Sequence, residues 1–285
     1  MDTEFKSDNA QLSDRDFNFL CRLVYEQSRI HLNRDKKVLV ASRLIKRLRQ
    51  LQLPNYHAYC QLLRTPAGEE ELHPLIDRIS TNHTQFFREM KHFDFLREVV
   101  LPRWRATMNA EREKFHVWSA ACSSGDEPYS LAIFLAEHLA PAESNVWQIE
   151  ASDISTRVLD IASQGIYGAD RLTGVKPEWL RRYFQKGVRN REGHFRVKDE
   201  LRRQVRFHHL NLLEAHYPFT SPFRVIFCRN VMIYFDRPTQ ETLVQHLAEQ
   251  LLPGGYLMVG HSESLSGIKH SLQLMQPAVY LKPAT

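Results

Sequence analysis

Four cysteines in a chain of 285 residues, Cys21, Cys60, Cys122 and Cys228, form no CxxC pair and no zinc-like spacing with histidine. A disulfide framework and a structural metal site are therefore not expected, and the usage fits a reducing compartment, the cytoplasm. No apolar run approaches the roughly 18 residues of a membrane span, so direct membrane insertion is not expected. The opening MDTEFKSDNAQLSD is polar and partly acidic, which argues against a signal peptide. Glycine is scarce at 11 residues, and no GK[ST] occurs, which excludes a P-loop. No internal repeat or low-complexity tract is present, and nothing demands more than a monomer.

What is present falls into two rhythms. From Leu12 to about Ile79 the pattern is helical and lacks strand candidates, which predicts a helical bundle over 1–79. In KKVLVASRLIKRLRQLQL, apolar Ala41, Leu44, Ile45, Leu48 and Leu51 share one face at 3.6-residue spacing. Lys36, Arg43, Lys46, Arg47 and Arg49 fall on the opposite face. Residues 80–114 read as a linker and lead-in helix. From Phe115 strands and helices alternate: VWSAA, VWQIEASD, VRFHHLNL, FRVIFCRN and GYLMVG are strand-like. The helix PTQETLVQHLAEQLL is stopped by PGG. This alternation predicts an α/β domain over 115–285 with a mostly parallel sheet and helices on both faces. KGVRNREGHFRV interrupts it as a short basic hairpin with Gly193 near its turn.

The net charge of +5 is uneven. Residues 29–50 net +7, and residues 181–206 net +7 again, leaving −9 on the remainder. Two basic patches on an acidic body suit docking of an anionic macromolecule, or are solvated faces.

The stretch FHVWSAACSSGDEPYSLAIFLAEHLA, residues 115 to 140, is strand, polar turn and helix, the place where open α/β sheets bind ligands. Its single glycine, Gly125, lets backbone approach closely at one point, whereas a diphosphate cradle uses more. Asp126 and Glu127 would repel phosphate and suit a cationic ligand end. Asp153, 28 residues further on, ends the next strand, where a carboxylate accepts from ribose hydroxyls or caps the helix STRVLD. Ser155 is able to do that capping instead. A nucleoside with a positive end and no phosphate fits this set. S-adenosylmethionine has that chemistry, with a nicotinamide cofactor as the alternative.

Five motifs in order, STNHTQFFRE (80–89), WSAACSSGDEPYS (118–130), ASDIS (151–155), FCRNVMIYF (227–235) and GHSESL (260–265), resemble the bacterial chemotaxis receptor methyltransferases, the CheR family. The resemblance runs through nearly the whole chain. It implies a helical N-terminal bundle and a class I S-adenosylmethionine-dependent methyltransferase domain of Rossmann-like α/β fold, with a small antiparallel β-subdomain inserted at about 172–207. It also implies the family's reaction, methyl transfer to glutamate side chains on chemoreceptor cytoplasmic helices, with S-adenosylhomocysteine as product. By the same resemblance Asn82, Thr84 and Arg88 supply from the linker the grip that the turn lacks. Glu127 faces the methionine end, Asp153 takes the ribose, Asn211 and Leu212 flank the adenine, and Arg229 and Asn230 line the floor near the methyl group. GDEP stands where GEEP is familiar in the family, a like-charge change. In some members the inserted subdomain binds a receptor's C-terminal pentapeptide as an added strand.

A glutamate acceptor is ionised at neutral pH, its ordinary pKa being about 4.3, so transfer to it needs no general base. Arg88 and Tyr234 are the candidates for placing the acceptor, Arg88 through its planar fork. The basic face Lys36, Arg43, Lys46, Arg47 and Arg49 is the candidate surface for a Glu-rich receptor helix. Phe86 and Phe87 read as core packing, and Cys122 is assigned no chemistry. Two other readings are a nucleic-acid methyltransferase and a non-catalytic sensor. Against the first, aromatics do not interleave with either basic patch, so nucleic acid is not an expected partner.

Overall fold

The computed structural model describes residues 11–107, 114–139 and 146–284; most of the polar N-terminal opening and the end of the 115–140 stretch lie outside them. The chain divides into two units, Met1–Thr81 with Tyr234–Asp236, and Asn82–Ile233 with Arg237–Thr285. No helix among the described residues is long and apolar enough to cross a membrane.

The first unit is built from α1 (Asp14–Ser28), α2 (Lys37–Gln50), α3 (Tyr56–Leu62) and α4 (Glu69–Ile79). Ser13 and Asn55 cap α1 and α3 by accepting from the amides of Asp16 and Ala58. Leu20, Val24, Leu44, Leu48, Tyr59 and Leu75 fill the interior. The buried stripe of α2 is Val40, Leu44 and Leu48, so the inward face is rotated from the one that the spacing of Ala41 and Ile45 suggests. Arg43 and Arg47, each three or four residues from members of that stripe, flank it and turn inward. Arg43 donates to the Ile79 carbonyl and to Thr81 Oγ1 at 3.0 Å. Arg47 Nε donates to Glu71 Oε1 at 2.8 Å, and Tyr59 donates to the same oxygen at 2.9 Å. The expected solvent-facing basic surface is corrected accordingly: Lys36, Lys46 and Arg49 are exposed, while Arg43 and Arg47 hold the bundle together.

The second unit starts at Asn82, so most of the expected linker belongs to the α/β body. Its lead-in, α5 (Lys91–Phe95), a π-turn over Leu96–Val100 and α6 (Leu101–Thr107), buries Phe93, Leu96 and Trp104 in the core. The main sheet contains β1 (Phe115–Ala120), β2 (Trp147–Asp153), β6 (Val205–His209), β7 (Phe223–Cys228), β8 (Leu251–Val259), β9 (Gln273–Gln276) and β10 (Val279–Leu281). Their order is β6-β2-β1-β7-β8-β10-β9, with the first five parallel and the last two antiparallel. α7 (Asp126–His138) and α8 (Thr156–Gln164) pack on β2 and β6, and α9 (Arg237–Gln250) packs on β8. Two details differ from expectation. LLPGG belongs to β8, because Leu251 pairs with Phe223 and a register shift absorbs the Pro-Gly pair. The β9–β10 hairpin is an additional strand pair whose segment QLMQ carries no β-branched residue.

A second sheet, β3 (Ile166–Gly168), β4 (Phe184–Lys186) and β5 (His194–Val197), is antiparallel in the order β3-β5-β4. The expected hairpin is thus β4 and β5. The third strand, β3, lies ahead of the expected 172–207 window, directly after Gly165 ends α8.

Across the main sheet, β2 buries Glu150 among side chains of its neighbours. His208 Nε2 lies 2.6 Å from Oε2, His116 Nε2 lies 3.4 Å from Oε1, and Gln148 donates at 2.8 Å. Burial pushes this carboxyl up, but hydrogen bonds from His116 and His208 and their charge outweigh it, lowering the pKa from 4.5 to about 2. A depressed folded pKa stabilises above pH 4.5 and ceases to do so as pH falls toward 2. Glu150→Gln is expected to remove up to about 3 kcal/mol of that pH dependence, checked by urea unfolding between pH 2 and 5.

Candidate active site at the carboxyl edge of the sheet

The parallel strands end on one edge, and their order reverses between β1 and β7, the position that forms a ligand crevice in open sheets. The turn from β1 into α7 is held by Cys122 N–H donating to the Ser152 carbonyl at 2.8 Å. Ala121, Ser123 and Gly125 all have positive φ. At Gly125, with φ of 90°, a Cβ would stand 2.8 Å from the Tyr167 hydroxyl and 2.9 Å from Ala162 Cβ, so glycine is required by space as well as by conformation.

The two acids that follow have different neighbours. Asp126 is fully buried, and Arg171 Nη2 meets its oxygens at 2.6 and 2.8 Å, with Ser124 Oγ at 3.0 Å. That pairing corrects the view of both turn acids as facing a ligand cation: Asp126 is already matched by Arg171. Glu127 accepts from Ser119 Oγ at 2.6 Å and from Arg229 Nε at 2.7 Å. Cys122 is buried and its thiol is pushed well up, which leaves it a packing residue.

Asp153 ends β2. One oxygen accepts from the Ser123 amide at 2.8 Å and the other from the Ser155 amide at 2.9 Å. Ser155 is the cap of α8, accepting from Val158 N–H, as the sequence allows. The carboxylate is thereby fixed at the strand end. Past the end of β6, Asn211 Oδ1 accepts from the Leu213 amide at 3.1 Å, and Leu212 is buried with its carbonyl accepting from Tyr217.

The segment after α4 forms a strap on the α/β unit. Ser123 Oγ donates to the Asn82 carbonyl at 3.1 Å, and the Phe87 amide donates to Ser130 Oγ at 2.9 Å. Phe86 lies edge-on to Tyr167, and Phe87 packs on Phe93 and Trp179, the core role expected of both. Thr84 is half-buried in the same strap. Asn82 Nδ2 is buried without a hydrogen-bond partner, which costs about 1–3 kcal/mol unless an acceptor meets it. Arg88 is half-exposed, with Nη1 3.3 Å from the His83 carbonyl and Nε 3.9 Å from Glu89.

Arg229 lies directly after β7, at the carboxyl edge of the sheet. Its side chain is 3% exposed. Besides Glu127 it reaches the Arg88 carbonyl at 2.8 Å and His92 Nδ1 at 3.0 Å, with Glu89 at 3.7 Å. The guanidinium is a buried strut that ties Glu127 to the strap. Burial, then the charge of Arg229, lowers the His92 pKa to about 3, so the imidazole is neutral and accepts from Arg229. Glu89, His92 and His261 bring potential metal-ligand atoms within 4.8 Å of one another, a grouping the sequence spacing did not suggest. Arg229 already supplies the positive charge there, through His92 Nδ1 and beside Glu89.

Asn230 has a φ of 58° and donates its amide to Glu263 Oε2 at 2.7 Å. Glu263 lies in the GHSESL motif, which carried the resemblance without pointing to this side chain. Tyr234 groups with the helical unit, where its carbonyl accepts from the His31 amide at 2.8 Å. The structure thus brings Asn82, Arg88, Glu127, Asp153, Arg229 and Asn230 to the α/β unit, while Tyr234 and the α2 bases belong to the helical one.

A ligand with a ribose, a charged amino-acid end and no phosphate fits these residues. Asp153 offers a fixed acceptor and Asn82 an unpaired buried donor; the close approach expected at Gly125 is corrected, since Tyr167 and Ala162 fill the space beside it. Strand order, switch-point crevice and donor set together define an S-adenosylmethionine-dependent methyltransferase of class I architecture. Comparison with known proteins agrees. Residues 82–281 match CheR methyltransferase, SAM binding domain, and residues 15–80 match CheR methyltransferase, all-alpha domain. A chemotaxis protein methyltransferase of Salmonella typhimurium is 41% identical over 94% of this chain and 90% of its own length. One from Borreliella burgdorferi is 40% identical over 96% of both chains, and chemotaxis protein methyltransferase 2 of Pseudomonas aeruginosa is 38% identical over 97% of this chain and 96% of its own. The chain belongs to the CheR methyltransferase family, and its cofactor is S-adenosylmethionine.

Proposed function

We propose that this enzyme methylates glutamate side-chain carboxylates on the cytoplasmic helices of chemoreceptors, giving glutamate methyl esters in chemotactic adaptation. The observation that carries the reading is the half-exposed guanidinium of Arg88 on the strap. A guanidinium offers five donors in one plane, and the His83 carbonyl and Glu89 engage part of that fork. What remains suits a carboxylate. The names of the relatives support a chemotaxis role.

The cofactor, when bound, supplies an electrophilic methyl group on a sulfonium centre. Asn82, Thr84, Asp153, Asn211, Leu212 and Asn230 would hold it, with Glu127 toward its methionine end. This chain's residues then have two tasks. Arg88 orients the acceptor carboxylate without neutralising its nucleophilic oxygen. The strap and the Arg229–Glu127 pair keep the crevice dry and fixed, which favours attack by an anion on a cation. A proton acceptor is not needed, and neutral His92 is engaged with Arg229.

Lys36, just ahead of α2, and Lys46 and Arg49 on it present the exposed charge that suits a Glu-rich receptor helix, whereas Arg43 and Arg47 contribute through the bundle. In the small sheet β4 is an edge strand, to which an extended receptor C-terminal pentapeptide would add. The setting is cytoplasmic, and the acting unit is a monomer that does not bind nucleic acid.

The test uses methyl-labelled S-adenosylmethionine with purified enzyme and a receptor cytoplasmic fragment, followed by mild base. Label on the receptor that is released as methanol is the expected result; base-stable label, or label on RNA instead, would overturn it. The rate should rise through the acceptor's pKa of about 4.3 and stay level to about pH 9. A limb titrating near pH 7 would mean that a general base is at work.

A further inference from the structure

Glu263 is 7% exposed and sits just past β8. Its Oε2 accepts from the Asn230 amide at 2.7 Å and from the Gly260 amide at 2.7 Å, while Oε1 accepts from the Ile233 amide at 3.3 Å. One carboxylate therefore serves three backbone donors and joins the ends of β7 and β8. The surrounding sequence is shaped to admit it. A Cβ on Gly260 would stand 2.7 Å from Glu263 Oε2 and 2.5 Å from Asn230 Nδ2. Asn230 itself is in the left-handed region, a conformation that needs support from its surroundings. The same carboxylate walls a cavity of about 270 Å³ with Met232, Ile233, Arg237 and Gln240.

We infer that Glu263 is a positioning residue for methyl transfer, holding Asn230 and the backbone at Ile233 in the one geometry the reaction uses. The inference rests on the reading that Asn230 lines the cofactor crevice. The carboxylate does not touch the reacting atoms; it acts through the amides it binds. A carboxylate suits this task because both oxygens accept. In glutamine the amide nitrogen donates, and it would face a backbone N–H that also donates.

Glu263→Gln and Glu263→Asp test it, with three readouts on each. Amide hydrogen exchange at Asn230, Ile233 and Gly260 should quicken at least about 10-fold in Glu263→Gln while core strands keep their protection. The turnover number should fall about 30- to 100-fold, the scale of a displacement near 1 Å. The dissociation constant for S-adenosylhomocysteine, measured by calorimetry, should change less than about 5-fold. Glu263→Asp, which keeps both acceptors on a shorter stem, should recover part of the turnover, and it carries the test if the glutamine variant does not fold. Wild-type turnover in a folded variant would overturn the inference. So would a loss of turnover matched by loss of protection throughout the unit. Failure of the native enzyme to bind S-adenosylhomocysteine would instead strike at the crevice assignment itself.

Discussion

Arg229→Ala is expected to destabilise the α/β unit by about 3–5 kcal/mol, the cost of leaving a buried carboxylate without its partner. The guanidinium is the cation against Glu127, and it also bonds the Arg88 carbonyl and His92. Removing it leaves Glu127 facing only the Ser119 hydroxyl among its hydrogen bonds described above. Cofactor affinity should fall with stability, because the carboxylate, the strap and the end of β7 lose their common tie. The Glu127→Gln/Arg229→Met pair separates the causes. If the uncompensated charge dominates, the double variant recovers most of the stability lost in the single one. If it is no more stable than Arg229→Ala, the strap contacts dominate. Urea unfolding of the native protein, Arg229→Ala and the double variant gives the answer directly.

Arg88→Ala should behave in the opposite way, losing activity while keeping its fold. Its side chain is half-exposed and engages the His83 carbonyl and Glu89, so truncation should move stability by no more than about 0.5 kcal/mol. Turnover should fall about 100- to 1,000-fold, the usual penalty for losing one well-placed donor in an active site. Arg88→Lys keeps the charge but not the planar fork, and should recover only part of the loss. Steady-state turnover on receptor fragment, with thermal melts on the same samples, checks both halves. Normal turnover in Arg88→Ala would remove Arg88 from the acceptor site.

Much of the α/β unit was legible in the sequence because its signals are local. Continuous apolar runs such as VWSAA and FRVIFC mark strands buried in a parallel sheet, and single residues such as Ser155 and Gly165 mark the helix ends they cap. The short motifs likewise located the crevice-forming segments. The missed features are those that depend on distant partners. Arg171 and Asp126 are 45 residues apart, and Arg229 and Glu127 are 102 apart. Spacing within either segment carries no trace of such a pairing. The inward rotation of α2 has a similar origin: Ala41 and Ile45 are as apolar as the face requires, but Glu71 on α4 and the carbonyl ends of that helix draw Arg47 and Arg43 in. β9 and β10 were silent because a short edge hairpin gains its stability from the sheet it joins, not from its own composition.

The root and the tip of the small sheet have different freedoms to change. At the root, Tyr167 on β3 donates to the Ser124 carbonyl at 2.8 Å, and Arg171 grips Asp126, both within the cofactor turn. At the tip, Val188 is exposed, while Gly193 is held to glycine by its φ of 79° and Gly187 by the Arg191 carbonyl that a Cβ would overlap. A substitution at Tyr167 or Arg171 would therefore disturb that turn, whereas an exposed position such as Val188 is free to vary between the two fixed glycines. One end of this insertion is thus tied to the turn after β1, and the other tolerates change at its exposed positions.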